Sequence, residues 1–122
     1  LDTLVAEMAD RQVTVVIAGP PPMYQFSDIR LCNRERPESC GVIRGTLEPL
    51  VREVENRVLS LSRRHPNLKL LPVFDSLCPA DQTLCTPVME GRFTMRARDH
   101  LNVHGARLLA PSLLELIAPV PE

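Results

Sequence analysis

A histidine near the carboxyl end of the chain stands immediately before a residue that can cap a helix. The segment reads Arg98-Asp99-His100-Leu101-Asn102, and Asn102 is of a type favoured at a helix N-cap. Imidazole exchanges a proton close to neutral pH, and such a position beside a helix is a usual one for a catalytic base. His100 is therefore the candidate general base. The alternative is a histidine whose ring is satisfied by nearby backbone groups.

The other chemically competent side chains lack a supporting pattern. His104 falls in the first turn of the predicted helix, where a cation is unfavourable, and is predicted to be exposed and neutral; His65 falls at a helix C-terminus. Ser76 and Ser112 do not occupy a strand-to-helix elbow. The sequence contains no glycine-rich phosphate loop and no His and carboxylate cluster at metal-ligand spacing. These patterns predict no metal site.

The four cysteines form two close pairs, Cys32 with Cys40 and Cys78 with Cys85, each in a polar stretch that contains proline. Local disulfides are the simplest interpretation, and they would indicate an oxidising compartment such as the periplasm or the cell exterior. A four-cysteine zinc site is the competing interpretation, although the spacings exceed those of usual zinc knuckles. Free buried thiols are the third.

Composition favours one globular domain and argues against a polyanion-binding protein. The chain has 122 residues, 44% of them hydrophobic, with 14 basic and 15 acidic residues and a net charge of −1. No run of like charges suits nucleic acid, and one Tyr, three Phe and no Trp offer few surfaces for base stacking. The sequence shows no signal peptide and no apolar run of the roughly 18 to 20 residues that cross a bilayer. Because it begins at Leu1 without Met and with a helical apolar stripe, we expect further sequence upstream.

Apolar periodicity predicts alternating helices and strands in the first half of the chain. Leu1, Leu4, Val5 and Met8 form a helical stripe, and the continuous apolar run 13–18 predicts a central strand that is covered on both faces. Gly19 and three prolines end this strand, and residues 23–44 are predicted to form a long loop with the first cysteine pair, either shaping a substrate cleft or lying on the surface as an insertion.

The second half begins with the clearest helix. Thr46 is its predicted cap, Arg52, Glu53, Glu55, Asn56 and Arg57 are predicted to face water, and the apolar stripe comprises Leu47, Leu50, Val51, Val54, Val58 and Leu61.

Residues 68–74 are predicted to form a strand parallel to the first, through a right-handed crossover. Residues 75–98 are predicted to be a loop, with a short extended piece near 92–95. A helix follows Asn102, kinked or divided at Pro111, and residues 119–122 are predicted to be a frayed end.

The His100 segment resembles the last conserved block of the SGNH hydrolase superfamily. In that block an Asp-x-x-His pair is followed by Leu, a helix-capping Ser or Asn, two variable residues, Gly and often Ala; His100, Leu101, Asn102, Gly105 and Ala106 match. The wider chain resembles the exported SGNH domains that are fused to integral-membrane acyltransferases. Strand 13–18 with its prolines, the paired cysteines, residues 74–78 and the His100 block occur there in the same order.

This resemblance implies a three-layer α/β/α fold with a parallel sheet, of flavodoxin-like type, in which residues 1–122 are a single domain or its C-terminal part. Such domains use Ser as nucleophile, His as base, Asp as its orienter, and Gly and Asn to bind the oxyanion. No G-D-S sequence occurs here, and Ala97 stands where the family has its Asp. Asp99 is not expected to substitute, because adjacent side chains point apart; Asp75, at the predicted strand end, is the candidate substitute.

By resemblance, the chain is the C-terminal segment of a bacterial O-acyltransferase, inactive alone, that moves an acetyl group to a hydroxyl of a cell-envelope polysaccharide. The implied partners are a carbohydrate acceptor and an integral-membrane acyltransferase domain upstream, at the periplasmic or extracellular face of the inner membrane, with no cofactor. The alternatives are a non-catalytic glycan-binding or structural SGNH-like module, for which Ala97 is the chief reason, and a free-standing carboxylesterase.

Overall fold

A computed structural model of the protein describes residues 1–118. The predicted tail, 119–122, lies outside the described residues. The helices are α1 Asp2–Asp10, α2 Arg44–Arg64, α3 Phe74–Leu77, α4 Val103–Leu108 and α5 Ala110–Ile117. The strands are β1 Val15–Ala18, β2 Val42–Ile43, β3 Leu68–Leu71, β4 Leu84–Cys85, β5 Val88–Met89, β6 Arg92–Phe93, β7 Met95–Ala97 and β8 His100–Leu101.

Strands β1 and β3 form a parallel pair on which α2 packs, as the apolar pattern predicts. Val15 pairs with Leu68 and Ala18 pairs with Leu71. A parallel pair joined through a helix is the βαβ unit, which is compatible with the predicted α/β class. The prediction that β1 is covered on both faces is wrong for the described residues: its first three residues are half-buried, Ala18 is exposed, and β3 is its sole partner there.

Helix α2 buries part of the predicted apolar stripe, together with one charged residue that was predicted to face water. Its buried positions include Val51, Glu55 and Val58, whereas Leu50 is 65% exposed and Val54 is 45% exposed. The expectation that Glu55 faces water is therefore wrong; its residue exposure is 4%. Charged side chains of α2 pair among themselves and with α3, while Leu50 and Val54 remain on the outside.

The segment after β3 departs from the predicted strand and loop. The strand ends at Leu71, because Pro72 has no amide hydrogen for the ladder, and α3 begins at Phe74. Helix α2 likewise begins at Arg44, before the predicted cap Thr46. The predicted loop 75–98 contains four short strands; β6 and β7 confirm the extended piece. The antiparallel pairs are β2 with β4, β5 with β6, and β7 with β8.

The C-terminal helices follow the capping signals. The Asn102 side chain accepts a hydrogen bond from the amide of Gly105 at 2.8 Å, which confirms the predicted N-cap. The predicted division also occurs, since α5 begins at Ala110 with Pro111 in its first turn. There the missing amide hydrogen of proline has no cost.

Two buried clusters form the core. The first surrounds both cysteine pairs and comprises Tyr24, Phe26, Cys32, Val51, Phe74, Cys78, Cys85 and Met95. The second lies between β3 and the C-terminal helices and comprises Leu71, Val73, Leu77 and Leu109. Because Met95 lies in the first cluster, the strand that precedes the His100 turn is anchored directly to the core.

Candidate functional site

His100 lies on a tight β-hairpin formed by β7 and β8. Arg98 and Asp99 form the turn, and across the hairpin Met95 pairs with Leu101 while Ala97 pairs with His100. Two steps along β7 correspond to one step along β8, so the register shifts between Met95 and Ala97. Such a bulge redirects side chains, and bulges are frequent beside active sites.

The bulge separates a buried end of the hairpin from an exposed one. The residue Met95 is fully buried, whereas the His100 side chain is 74% exposed. Adjacent residues of a strand point to opposite faces, so the burial of Leu101 towards the core directs His100 outwards. The hairpin therefore presents the imidazole to solvent from a backbone that is fixed by core packing.

The pairing of Ala97 with His100 explains the spacing of the family motif. Directly opposed residues of an antiparallel pair have their side chains on one face, with Cβ atoms about 5 Å apart. A carboxylate at position 97 would thus stand beside the imidazole. Here the position holds a methyl group, so this strand supplies no orienting carboxylate.

Asp99 supplies a carboxylate at the imidazole instead. Its Oδ1 atom lies 2.7 Å from Nδ1 of His100, with the Asp99 side chain 44% exposed. The expectation that neighbouring side chains point apart does not hold, because residues 98 and 99 form a tight turn rather than an extended segment. A carboxylate at Nδ1 favours the tautomer in which Nε2 can accept a proton.

Asp75, the candidate substitute from the sequence, is held elsewhere. Arg52 donates to both of its oxygens, at 3.0 and 2.8 Å, and Arg44 donates to Oδ1 at 2.6 Å. The Arg52 hydrogen bonds and the charges of both arginines hold the pKa of Asp75 below its usual value, against a smaller effect of burial. Asp75 therefore serves an ion-pair cluster and not His100.

That cluster was missed in the sequence. It joins α2 to α3 through Arg44, Glu48, Arg52, Glu55 and Asp75, and Arg52 contacts Glu55 at 2.6 Å. Both arginines lie over the Phe74 ring, at 4.9 and 5.9 Å from its centroid. The spacing of Arg44, Glu48 and Arg52 at i, i+4 was the available signal. The cluster is structural, since it locks α3 against α2.

Backbone and amide hydrogen bonds position the hairpin. The side-chain Nδ2 of Asn102 donates to the Phe93 carbonyl at 2.7 Å, and the backbone amide of Asn102 donates to the Thr94 carbonyl at 3.1 Å. The Tyr24 amide donates to the Arg98 carbonyl at 2.9 Å, which ties the long loop to the turn. A Cβ on Gly105 would stand 2.1 Å from the Thr94 carbonyl oxygen. The matched Asn and Gly of the motif therefore hold β8 and α4 together.

The remaining histidines lie apart from His100. His104 is half-buried rather than exposed, and its Nε2 atom is 3.1 Å from the Met89 carbonyl oxygen. His65 follows α2 directly, and its Nε2 atom is 2.9 Å from Oδ1 of Asp2. Both contacts connect secondary-structure elements, which is a structural role.

All four cysteines are paired in disulfides, Cys32 with Cys40 and Cys78 with Cys85, with Cα separations of 5.7 and 5.2 Å. Neither the zinc nor the free-thiol interpretation matches this arrangement. Among residues 1–118, no group of three potential metal ligands comes together. The disulfides fit an extracellular type of domain.

An apolar groove of about 120 Å³ lies on the outer side of α2 and does not include His100. Its lining combines the proline loop with the exposed stripe of the helix: Pro20, Pro21, Met23, Leu47, Leu50, Val51 and Val54. Within the described range 1–118, none of the helices is both long and apolar enough to span a bilayer.

Comparison with protein families identifies the class. The model of the family described as SGNH domain (fused to AT3 domains) matches residues 1–115, so the chain belongs to this family. The fusion supports an attached acyltransferase domain in the same protein. Neither curated proteins nor solved structures give a match.

Proposed function

We propose that this chain is the His100-bearing part of an O-acyltransferase that transfers an acetyl group to a hydroxyl of a bacterial cell-envelope polysaccharide. The observation that carries the proposal is the exposed imidazole with Asp99 at Nδ1, in a domain whose family is fused to AT3 domains. The chain is then part of a three-layer α/β/α domain whose remaining strands, like its nucleophile, are supplied by other parts of the protein.

The proposed reaction has two steps that share His100 as base. In the first, a serine hydroxyl from outside these residues attacks the acyl carbonyl of the donor, and the proton of the hydroxyl passes to Nε2 of His100. The acyl group becomes an ester of the serine, and the leaving group of the donor departs with that proton. In the second, Nε2 takes the proton of the acceptor hydroxyl while that oxygen attacks the serine ester, and the proton returns to the serine. The carboxylate charge of Asp99, whose Oδ1 lies 2.7 Å from Nδ1, favours a proton on that atom and so leaves Nε2 free to act as the base. Without the serine, the chain alone is expected to be inactive.

The two disulfides support a location of the domain outside the cytoplasm. Both bridges close short loops, and structural disulfides persist in oxidising compartments and are rare in a reducing cytoplasm. We therefore place the domain at the periplasmic or extracellular face of the inner membrane, beside the membrane-embedded acyltransferase that delivers the acetyl group.

The test uses the AT3-fused protein in cells and measures acetate released from the surface polysaccharide by mild alkali. His100→Ala should lower the O-acetyl content at least 100-fold, because a general base contributes about 10² to 10⁴ in rate. His104→Gln is the matched control, since Gln keeps a donor for the Met89 carbonyl, and it should stay within about twofold. Undiminished acetylation in His100→Ala would exclude His100 as the base.

A second candidate is a glycan-binding module without catalysis, and Ala97 is the observation that favours it. A domain under no catalytic demand can lose the carboxylate opposite its histidine. In that case His100→Ala would leave acetylation intact, while deletion of the whole domain would lower it through loss of acceptor binding.

A further inference from the structure

The segment that contains the His100 hairpin carries a positive charge that the net charge of the whole chain does not show. Residues 92–107 contain four arginines and a single carboxylate, Asp99, whereas the remaining residues contain ten basic and fourteen acidic side chains. Asp99 is already engaged at Nδ1 of His100. The segment from β6 to α4 therefore has a positive balance, whereas the rest of the chain has a negative one, and within this segment the hairpin itself carries Arg96 and Arg98 against Asp99.

Two of these arginines are chain neighbours of Ala97, the residue that pairs with His100. Arg96 is the extra residue of the bulge and Arg98 is the first residue of the turn, so they flank Ala97, which pairs with His100. Both residues are exposed, and within residues 1–118 neither guanidinium has a carboxylate partner. Other arginines of the chain, such as Arg44 and Arg52, are held in ion pairs.

The backbone that carries these two arginines is fixed, which separates them from freely moving surface charges. The Arg98 carbonyl accepts a hydrogen bond from the Tyr24 amide, and Met95, next to Arg96, is fully buried. A guanidinium fork matches the geometry of carboxylate and phosphate groups. An anion bound here would break no ion pair that Arg96 or Arg98 makes within residues 1–118.

We propose that the acceptor is an anionic polysaccharide, whose carboxylate or phosphate groups bind Arg96 and Arg98 while a hydroxyl of the same chain faces His100. The inference rests on the proposed function for the role of the hydroxyl, but the binding itself requires neither His100 nor a nucleophile. Each exposed contact is weak, and repeated charges along a polymer strengthen binding through effective concentration.

The experiment measures binding of polygalacturonate to the protein by affinity electrophoresis, with the fully methyl-esterified polymer as the neutral counterpart. Arg96→Ala combined with Arg98→Ala should weaken binding about tenfold. The matched control is Arg11→Ala with Arg63→Ala, which removes the same charge from two exposed arginines elsewhere and should change binding less than twofold. Raising the salt concentration should weaken binding of the parent protein, and circular dichroism checks that both double variants fold.

His100→Ala should bind as well as the parent protein, so loss of acetylation and loss of acceptor binding are distinguishable. Equal binding of the neutral ester, or an equal loss in the Arg11 and Arg63 control, would overturn the proposal. Phosphatidylglycerol vesicles serve as a further probe. If they bind with the same dependence on Arg96 and Arg98, the surface recognises anionic lipid and the glycan assignment is wrong.

Discussion

Ala97 stands directly opposite His100 across a hairpin whose turn consists of two residues. Because of this pairing, two residues that are three positions apart in the sequence become cross-strand neighbours. An Asp-x-x-His motif in such a hairpin therefore has its carboxylate beside its imidazole. In this chain Asp99, within the turn, reaches Nδ1 at 2.7 Å instead. The carboxylate that lies next to His100 thus comes from the turn and not from the opposite strand.

The first prediction concerns which carboxylate orients the imidazole. Asp99→Asn should shift His100 away from the tautomer that carries its proton on Nδ1, because the acceptor at that atom loses its charge. Ala97→Asp in the same background should restore it. Nitrogen-15 chemical shifts of the ring report the tautomer directly, and Asp81→Asn, an exposed carboxylate elsewhere, is the control. An unchanged tautomer in Asp99→Asn would remove the orienting role.

Two glycines should respond oppositely to the same substitution. Gly105→Ala places a Cβ 2.1 Å from the Thr94 carbonyl oxygen and should destabilise the fold by about 2–4 kcal/mol. Gly45→Ala, in α2 with no atom within 4 Å of the new Cβ, should stabilise it by about 0.5 kcal/mol. Urea unfolding measures both. Equal effects would contradict the close approach of α4 to Thr94.

Tyr24 should report alkaline unfolding. It is the only tyrosine, burial raises its pKa above the ordinary 10.0, and its ring stacks on Phe26 with centroids 5.5 Å apart. The neutral phenol therefore adds stability that is complete below its ordinary pKa and is lost as pH rises towards the folded-state value. Phenolate absorbance and circular dichroism should change together. Tyr24→Phe should unfold at higher pH, and ionisation at pH 10 in a folded protein would contradict this prediction.

The Asp75 ion pairs should make the fold sensitive to acid. Arg52 and Arg44 lower the pKa of this carboxyl, so its contribution is present above the ordinary value of 3.8 and is lost as pH falls through the lower folded-state value. Asp75→Asn should cost about 1–2 kcal/mol at neutral pH, a figure reduced for its partial exposure, and should flatten the acid dependence. Urea midpoints between pH 2 and 6 measure this, with Asp81→Asn as control. Parallel acid profiles for Asp75→Asn and the parent protein would contradict it.

The disulfides should be reduced in a fixed order. Cys78 and Cys85 are fully buried, while Cys32 is 6% exposed and Cys40 is half-buried. A thiol reagent should therefore open the bridge from Cys32 to Cys40 first. Removing either bridge should cost about 2–3 kcal/mol from loop closure alone. Alkylation followed by peptide mass spectrometry gives the order, and prior opening of the buried bridge would contradict the packing.

The secondary-structure predictions that the structure confirms rest on sequence signals that act on nearby residues. The run 13–18 and the run that begins at Leu68 are apolar enough to predict strands, and the crossover helix between them made the parallel pairing predictable. Asn102 and Pro111 act on the ends of the helices in which they lie, so the N-cap of α4 and the division between α4 and α5 could both be predicted.

The features that the sequence did not predict depend on contacts between residues that are distant in sequence or on the local turn geometry. Strands of two residues, such as β5 and β6, are too short to show a period, and only their pairing defines them. Glu55 was predicted to face water because nothing local indicates that Gly19, directly after β1, packs against its side chain. The reach of Asp99 to His100 depends on the two-residue turn, which the bulge and the core packing of Met95 create.

The bridge from Cys32 to Cys40 changes what a protease can do to the long loop. Arg34 lies exposed between the two cysteines, so trypsin-like cleavage after it opens the peptide chain at that point. Both new ends remain joined through sulfur, and no fragment leaves the molecule. A nicked protein would gain the mass of one water, keep its hydrodynamic size, and separate into two pieces only after unfolding and reduction. In surroundings rich in proteases, this loop can thus be cut while the domain stays in one piece.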